Sequence, residues 1–192
     1  LGSLTITGSG EDSVLIGGDV DSSRFSTGAD DDLIMIGGDI TNSRFHSGSG
    51  DDRLAFNGNL SNSRIITGSG EDIVAVTGVT SDSFINTGSE NDYLSFYGGL
   101  SSSRISTGRH NDSIVVMAEV EDSSFRFGRG NDVSNMYGEV IDSRFDAGRG
   151  DDTLNFNGGL EDSLVFTGRG DDIVFLNDDI HDTVIRLGRG ND

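Results

Sequence analysis

Cysteine is absent from this 192-residue sequence, and so is lysine. Without cysteine, neither a disulfide nor a thiolate metal site can contribute, and thiols give no reading of the redox compartment. Without lysine, all 13 basic residues are arginines against 33 acidic ones, and the formal charge is −20. A surface of that sign repels phosphate backbones and anionic headgroups, which excludes nucleic acid as a partner and favours cations or basic surfaces. No apolar run approaches the ~20 residues a membrane helix needs, so no membrane insertion is expected. The first residues lack the charged and apolar blocks of a signal peptide, and the chain is expected to be a mature or excised piece, with secretion open.

What the sequence has in abundance is glycine, at 29 positions, beside the 33 acids. Low hydrophobicity with high charge ordinarily means disorder. Periodicity overturns that reading. Glycine stands at 8, 28, 48, 68, 88, 108, 128, 148, 168 and 188, each step being 20 residues with no insertion. A strict period of this length marks stacked copies of one supersecondary unit, each lending its face to the next. Residues 1–192 are therefore expected to form a single array rather than several domains.

Each copy is numbered here from the position of Thr7, so that Gly8 is place two and Asp12 is place six. Apolar residues recur at places eight and ten, as in Ile34 and Ile36, Leu54 and Phe56, Val74 and Val76. That alternation, bounded by Gly and Asp, is how a half-buried strand is written. A second strand is expected around place nineteen (Phe25, Phe45, Ile65), and place fourteen (Val20, Ile40, Leu60, but Thr80) adds one more inward residue. Glycine interrupts every copy and no window holds a helical apolar period, which excludes helices. The expected fold is all-β: a right-handed parallel β-solenoid, β-roll-like, with two short strands per turn and about nine turns. Coils ~4.8 Å apart would span roughly 45 Å of axis. Ser134, standing where neighbouring copies place Ile114 and Leu154, is expected to be a weak point in the ladder.

Aspartate occupies place six in every copy: Asp12, Asp32, Asp52, Asp72, Asp92, Asp112, Asp132, Asp152, Asp172 and Asp192. Stacking puts them in one column, where unit charges ~4.8 Å apart repel by about 0.9 kcal/mol even in bulk water. Place five adds Glu11, Asp31, Asp51, Glu71, Asp151 and Asp171. A hard divalent cation between turns would neutralise the column. Calcium suits it, taking six to eight oxygens from carboxylates and carbonyls in forgiving geometry, whereas magnesium demands a strict octahedron. Glycines at places two and four allow backbone conformations closed to other residues and can turn carbonyls toward the ion. Ordinary Asx and glycine turns explain a glycine and an Asp. They do not explain an acidic column kept through ten copies.

The stretches TGSGEDSVL, SGSGDDRLA, AGRGDDTLN and TGRGDDIVF resemble the calcium-binding nonapeptide G-G-x-G-x-D-x-U-x of the RTX (repeats-in-toxin, hemolysin-type) family. The match covers about half of each copy along the whole chain. The other half-turn (IGGDVDSSRFS, NGGLEDSLVFT) puts Val or Leu where the motif needs its third glycine. The resemblance therefore implies calcium along one edge only, as in the one-sided RTX-like 19–20-residue solenoids of long bacterial surface adhesins, one of which binds ice. It implies liganding roles for Gly8, Gly10 and Asp12, and likewise for Gly28 and Asp32, Gly48, Gly50 and Asp52, Gly68, Gly70 and Asp72, Gly88 and Asp92, and Gly108 and Asp112. Further along the chain the same roles fall to Gly128, Gly130 and Asp132, Gly148, Gly150 and Asp152, Gly168, Gly170 and Asp172, and Gly188, Gly190 and Asp192. Asp30, Glu90 and His110 replace the place-four glycine, so those turns are expected to bind weakly or bend.

Place three changes from Ser9, Ala29, Ser49, Ser69 and Ser89 to Arg109, Arg129, Arg149, Arg169 and Arg189. This arginine stripe could hold an anionic polysaccharide or an acidic neighbouring subunit, or it balances local charge, the reading favoured on sequence. Arginines at place eighteen, such as Arg24 and Arg44, are expected to point outward and offset nearby acids. Ser or Thr at place seventeen is expected to cap turn amides. The resemblance carries an ice-binding alternative, but the related solenoid bears rows of Thr and Asn at places three and five, and this chain lacks the Thr row. A catalytic β-helix is the enzyme alternative; His46, His110 and His181 fall at different places and do not converge, so no enzyme is expected. The expected function is a calcium-dependent structural or adhesive module at the bacterial cell surface, folding outside the cell. Copies meeting end to end, Asp192 of one sharing an ion with Asp12 of the next, would make a filament.

Overall fold

A computed structural model describes residues 2–192. Each 20-residue coil contains three strands, for instance Arg44–Ser49, Arg53–Phe56 and Leu60–Ser61. Like strands of successive coils pair in parallel, giving one sheet of 10 strands and two of nine. The expected two strands per coil are present, and places fourteen and fifteen form a third of two residues, so the coil has three sides rather than two faces. The reason is the residue before place seventeen. Ser22, Asn42, Asn62 and Asp82 take left-handed φ values of 45 to 52°, a conformation open to Asn, Asp and small polar residues. That single residue turns the chain sharply out of the short strand.

Register is invariant. Arg44 lies over Arg24 and under Arg64, Phe45 over Phe25, and Gly48 over Gly28. With a fixed 20-residue step each inward side chain meets its own counterpart, and the core is a set of ladders. Ile34, Leu54, Val74 and Leu94 are fully buried in one, and Ile36, Phe56, Val76 and Phe96 in another. Phe25 stacks on Phe45 with centroids 4.8 Å apart and planes 3° from parallel, and Phe125 on Phe145 at 4.6 Å. These separations match the strand spacing. Identical rings can therefore stack face to face in offset contact without distorting the backbone.

Place one is also interior. Thr27, Ser47, Thr67, Thr87 and Thr107 are fully buried, and Phe127 and Ala147 fill the same ladder. The hydroxyls are satisfied within the coil stack: Thr67 Oγ1 donates to the Thr87 carbonyl at 3.1 Å. At place seventeen the expected polar ladder is present. The Ser43 amide donates to Ser63 Oγ at 3.0 Å, while Ser43 Oγ donates to the Thr41 carbonyl at 2.7 Å.

Two hydroxyls break the ladders. Ser134 Oγ and Thr80 Oγ1 are buried without a hydrogen-bond partner. Ser134 sits between Ile114 and Leu154, and Thr80 between Leu60 and Leu100. A buried unpaired hydroxyl costs about 1–3 kcal/mol, and its replacement by a methyl of similar shape recovers part of that. Ser134→Val and Thr80→Val should each stabilise the solenoid by about 1 kcal/mol, a rise in Tm of roughly 2–4 °C by calorimetry. An unchanged or lower Tm for both would mean that the hydroxyls are accommodated in solution.

Candidate metal centre

The place-six aspartates stand at the corner between the six-residue and the four-residue strands. Asp32, Asp52, Asp72, Asp92, Asp112, Asp132, Asp152 and Asp172 are all buried, none more than 3% exposed. One oxygen of each is used in the same way: the Asp52 amide donates to Asp72 Oδ1 at 2.9 Å, and the Asp112 amide to Asp132 Oδ1 at 2.8 Å. The other is not used at all. Oδ2 of every member from Asp12 to Asp172 is buried and has no hydrogen-bond partner. Nine orphaned carboxylate oxygens in one file are the most unusual feature of the molecule.

Burial penalises the charged form, and it pushes Asp72, Asp112, Asp132 and Asp152 up to about 7 and Asp92 to about 6, with like charges in adjacent coils adding to the shift. Asp52 is raised for the same first reason. The effective desolvation cost of a buried ion is several kcal/mol even after relaxation. Repeated along a thin core, that cost falls on the fold wherever the carboxyls are charged, and either protonation or a cation in the column relieves it.

The backbone beside the column suits such a charge. Gly48, Gly68 and Gly148 have φ of +107 to +115°, and the place-four glycines Gly50, Gly70 and Gly150 lie at +118 to +127°. A Cβ at Gly70 would run into the Gly50 carbonyl oxygen, and one at Gly150 into that of Gly130. The turn thus holds glycine carbonyls directly against the next coil's backbone, in a space only glycine leaves open. Asp30, Glu90 and His110 also have positive φ, at 74, 81 and 74°, well below the values of the place-four glycines. The pairings Gly68 to Gly88 and Gly108 to Gly128 persist, but between the Glu90 and His110 turns the strand register ends at Asn86 and Ser106, so the glycine ladder is locally interrupted there. Two of the three substituents also bond to the preceding coil, Asp30 Oδ2 accepting from the Gly10 amide at 3.0 Å and His110 Nδ1 from the Glu90 amide at 3.0 Å.

No group of three or more His, Cys, Asp or Glu side chains converges among the described residues. A cation in the column would therefore be held by one inward carboxylate per coil together with backbone carbonyls. That all-oxygen donor set fits a large hard ion. Place five behaves differently, being exposed: Asp31 Oδ1 accepts from the Asp51 amide, and Asn111 Oδ1 from the Asn131 amide. Its acids and amides cap the neighbouring coil.

The arginines do not balance these acids. Among the described residues the ion pairs are Arg144 with Asp146 at 3.7 Å and Arg126 with Asp146 at 4.0 Å. Arg64 instead stacks over Phe84 at 4.4 Å and Arg144 over Phe166 at 4.3 Å. Among the described residues no carboxylate lies within 4.0 Å of Arg109, Arg129, Arg149, Arg169 or Arg189, so any local charge balance by this stripe runs through solvent rather than through direct ion pairs.

The raised carboxyls set a direction for pH dependence in chelated buffer. A folded-state pKa above the unfolded value means that the folded chain binds more protons, so stability is fully present below about pH 4 and falls as pH rises through 6 to 7. In chelator the chain should show more strand signal and resist heat better at pH 5 than at pH 8, where the charged column leaves it largely unfolded, as read by thermal circular dichroism. The opposite order would show that the column is not desolvated.

No protein-family model matches the chain, and no curated protein matches it. Among solved structures, a hyperactive, Ca2+-dependent, β-helical antifreeze protein from an Antarctic bacterium is similar, with a TM-score of 0.70 and 18% sequence identity over 95% of this chain and 72% of that one. At that identity the likeness shows the fold. The chain is an all-β parallel β-solenoid of about nine 20-residue turns.

Proposed function

We propose that this chain is a calcium-folded structural or adhesive segment of a secreted bacterial surface protein, built on RTX-type repeats. The observation that carries the reading is the file of buried Asp Oδ2 atoms without partners. In each corner the carboxylates of successive coils, for example Asp72 and Asp92, would hold an ion together with carbonyls of the Gly68 and Gly70 turn. Calcium supplies positive charge there and little else. The calcium dependence of the similar antifreeze protein supports this ion over magnesium. Because the unfolded chain has no assembled site, ion binding adds to the stability of the fold alone, about 2.7 kcal/mol per site at a hundredfold excess over Kd. Low calcium keeps the acidic chain expanded, and high calcium outside the cell compacts it.

The same neighbour raises ice binding for this chain. Place three here is Ser, Ala or Arg, and place five is mostly acid or Asn, so no threonine row runs along the calcium edge. The surface reading is preferred on that ground, and no thermal hysteresis is expected. A non-catalytic role is supported by the histidines. His46 lies on the 10-stranded sheet, His110 in a glycine-type turn and His181 in the last two-residue strand.

Circular dichroism and light scattering during a calcium titration test the proposal. Strand signal should appear with calcium, not with equimolar magnesium, and should vanish in EDTA. Asp112→Asn with Asp132→Asn should lower the number of bound ions by at least one, and lower the calcium-saturated stability by roughly 2–3 kcal/mol. A chain equally compact after exhaustive chelation at pH 8 would end the proposal.

A further inference from the structure

The protein's few positive charges are gathered on one side. Eleven of the 13 arginines lie within the strands of the 10-stranded sheet, and of the 33 acidic residues only Asp146 does. Three rows carry them. Arg24, Arg44, Arg64, Arg104 and Arg144 form the first, exposed and one coil apart wherever consecutive. Arg126 and Arg186 belong to the second, on the same outward face. Arg109, Arg129, Arg149 and Arg169 form the third, stacked over each other in register, with Arg189 continuing it through one bridge.

Like charges directly opposite on neighbouring strands destabilise a sheet. Asp146 relieves only Arg126 and Arg144. The remaining guanidinium groups in the three rows have no carboxylate within 4.0 Å among the described residues, so their stacked charge is left without direct ion pairs.

Between the rows lie shallow hollows. One of about 450 Å³ is lined by Arg44, Arg64, Phe84 and Arg104 with Asp82 at its edge, a second of about 420 Å³ by Phe84, Arg104, Arg126 and Arg144 with Asp146, and a third of about 560 Å³, free of acids, by Arg109, Arg126, Arg129 and Arg149. Phe84 and Phe166 stand within the rows with guanidinium groups over them, and Phe166 has Arg186 at 5.5 Å as well as Arg144.

We propose that the outer face of the 10-stranded sheet binds a linear acidic polysaccharide along the solenoid axis. Guanidinium forks take carboxylate or sulfate groups in bidentate fashion, and stacking on Phe84 and Phe166 holds Arg64 and Arg144 in place for such contacts. The strand spacing of ~4.8 Å repeats the charge at about the rise of one extended sugar unit, so a polymer can engage coil after coil. A chain of net charge −20 would repel polyanions everywhere else. A folded acidic partner, including a second copy of this chain, is the competing occupant. The linear occupant is preferred because the arginines run as narrow rows along the axis, one coil apart over five successive coils in the third row. The arginine face does not include the aspartate corners, so with the chain held folded in calcium-containing buffer the binding is tested separately from the calcium reading.

The test is binding of the full chain, in calcium-containing buffer, to immobilised polygalacturonate, heparin and neutral dextran. Polygalacturonate or heparin should bind and dextran should not, with at least ~10-fold weakening between about 50 and 200 mM salt. The quadruple variant Arg44→Ser/Arg64→Ser/Arg104→Ser/Arg144→Ser should lose about 10-fold or more in affinity at unchanged circular dichroism. Arg53→Ser, on a different sheet, should stay within about twofold of the parent. Should the quadruple variant fold poorly, Arg109→Ser/Arg129→Ser/Arg149→Ser/Arg169→Ser serves in its place. The proposal is overturned by equal binding to dextran, or by no binding to either polyanion at the lower salt. It is also overturned if affinity survives both arginine variants, which would mean calcium bridging through the acidic corners. Sedimentation showing self-association that the arginine variants abolish, without glycan binding, would assign the face to a second copy.

Discussion

Everything in this molecule follows from a register that never slips. A 20-residue step repeated without insertion places every side chain against its own kind, above and below. For apolar residues this is favourable, since Ile on Ile or Phe on Phe fills the space between coils at the natural strand spacing. For charged residues it is costly, because repulsion is repeated at every step and has no compensating partner inside the stack. The same constraint therefore writes a core in one ladder and a demand for counter-ions in another. The buried aspartates and the exposed arginine rows are two instances of one problem, one facing inward and one facing a single side.

The two columns call for different solutions because their surroundings differ. Asp72 and its stacked neighbours are cut off from water, with one oxygen bound to a backbone amide and the other bare, so a partner has to be small enough to enter the corner. The arginines are in solvent and their repulsion is screened, so the cost per pair is smaller and the partner can be large. Size and access, rather than charge alone, separate an ion site from a polymer site here.

Most of the fold was legible in the sequence because the period is strict. Places eight, ten, fourteen and nineteen could be read as inward from Ile34, Ile36, Ile40 and Phe45 alone, and all four are buried. The inward threonine at place one was not, because a polar side chain gives no hydrophobic signal; its hydroxyl pairs with the next coil's carbonyl, which no composition rule anticipates. The third strand was missed for a related reason. Two residues, such as Leu60 and Ser61, are too few to show alternation, and only the left-handed residue after them defines their end. Recurrence placed the Asp column in the sequence, but whether it faced water or the interior depended on how the glycine turn folds. Glu90 and His110 keep a positive φ in spite of their side chains, but the strand pairing between their two turns stops at Asn86 and Ser106.

The side-chain ladders also have a direction. At places six and seventeen the later coil caps an amide of the earlier one, as Asp72 does for Asp52 and Ser63 for Ser43. At places five and thirteen the sense reverses, Asp31 capping Asp51 and Asp39 capping Asn59. Most interior coils are thus clasped from both sides, the Asn91 amide being an exception. In a one-dimensional array this makes the coupling between adjacent units large compared with the stability of any unit alone. Ordering should then travel as a sharp front, like a zipper, rather than as independent islands that merge.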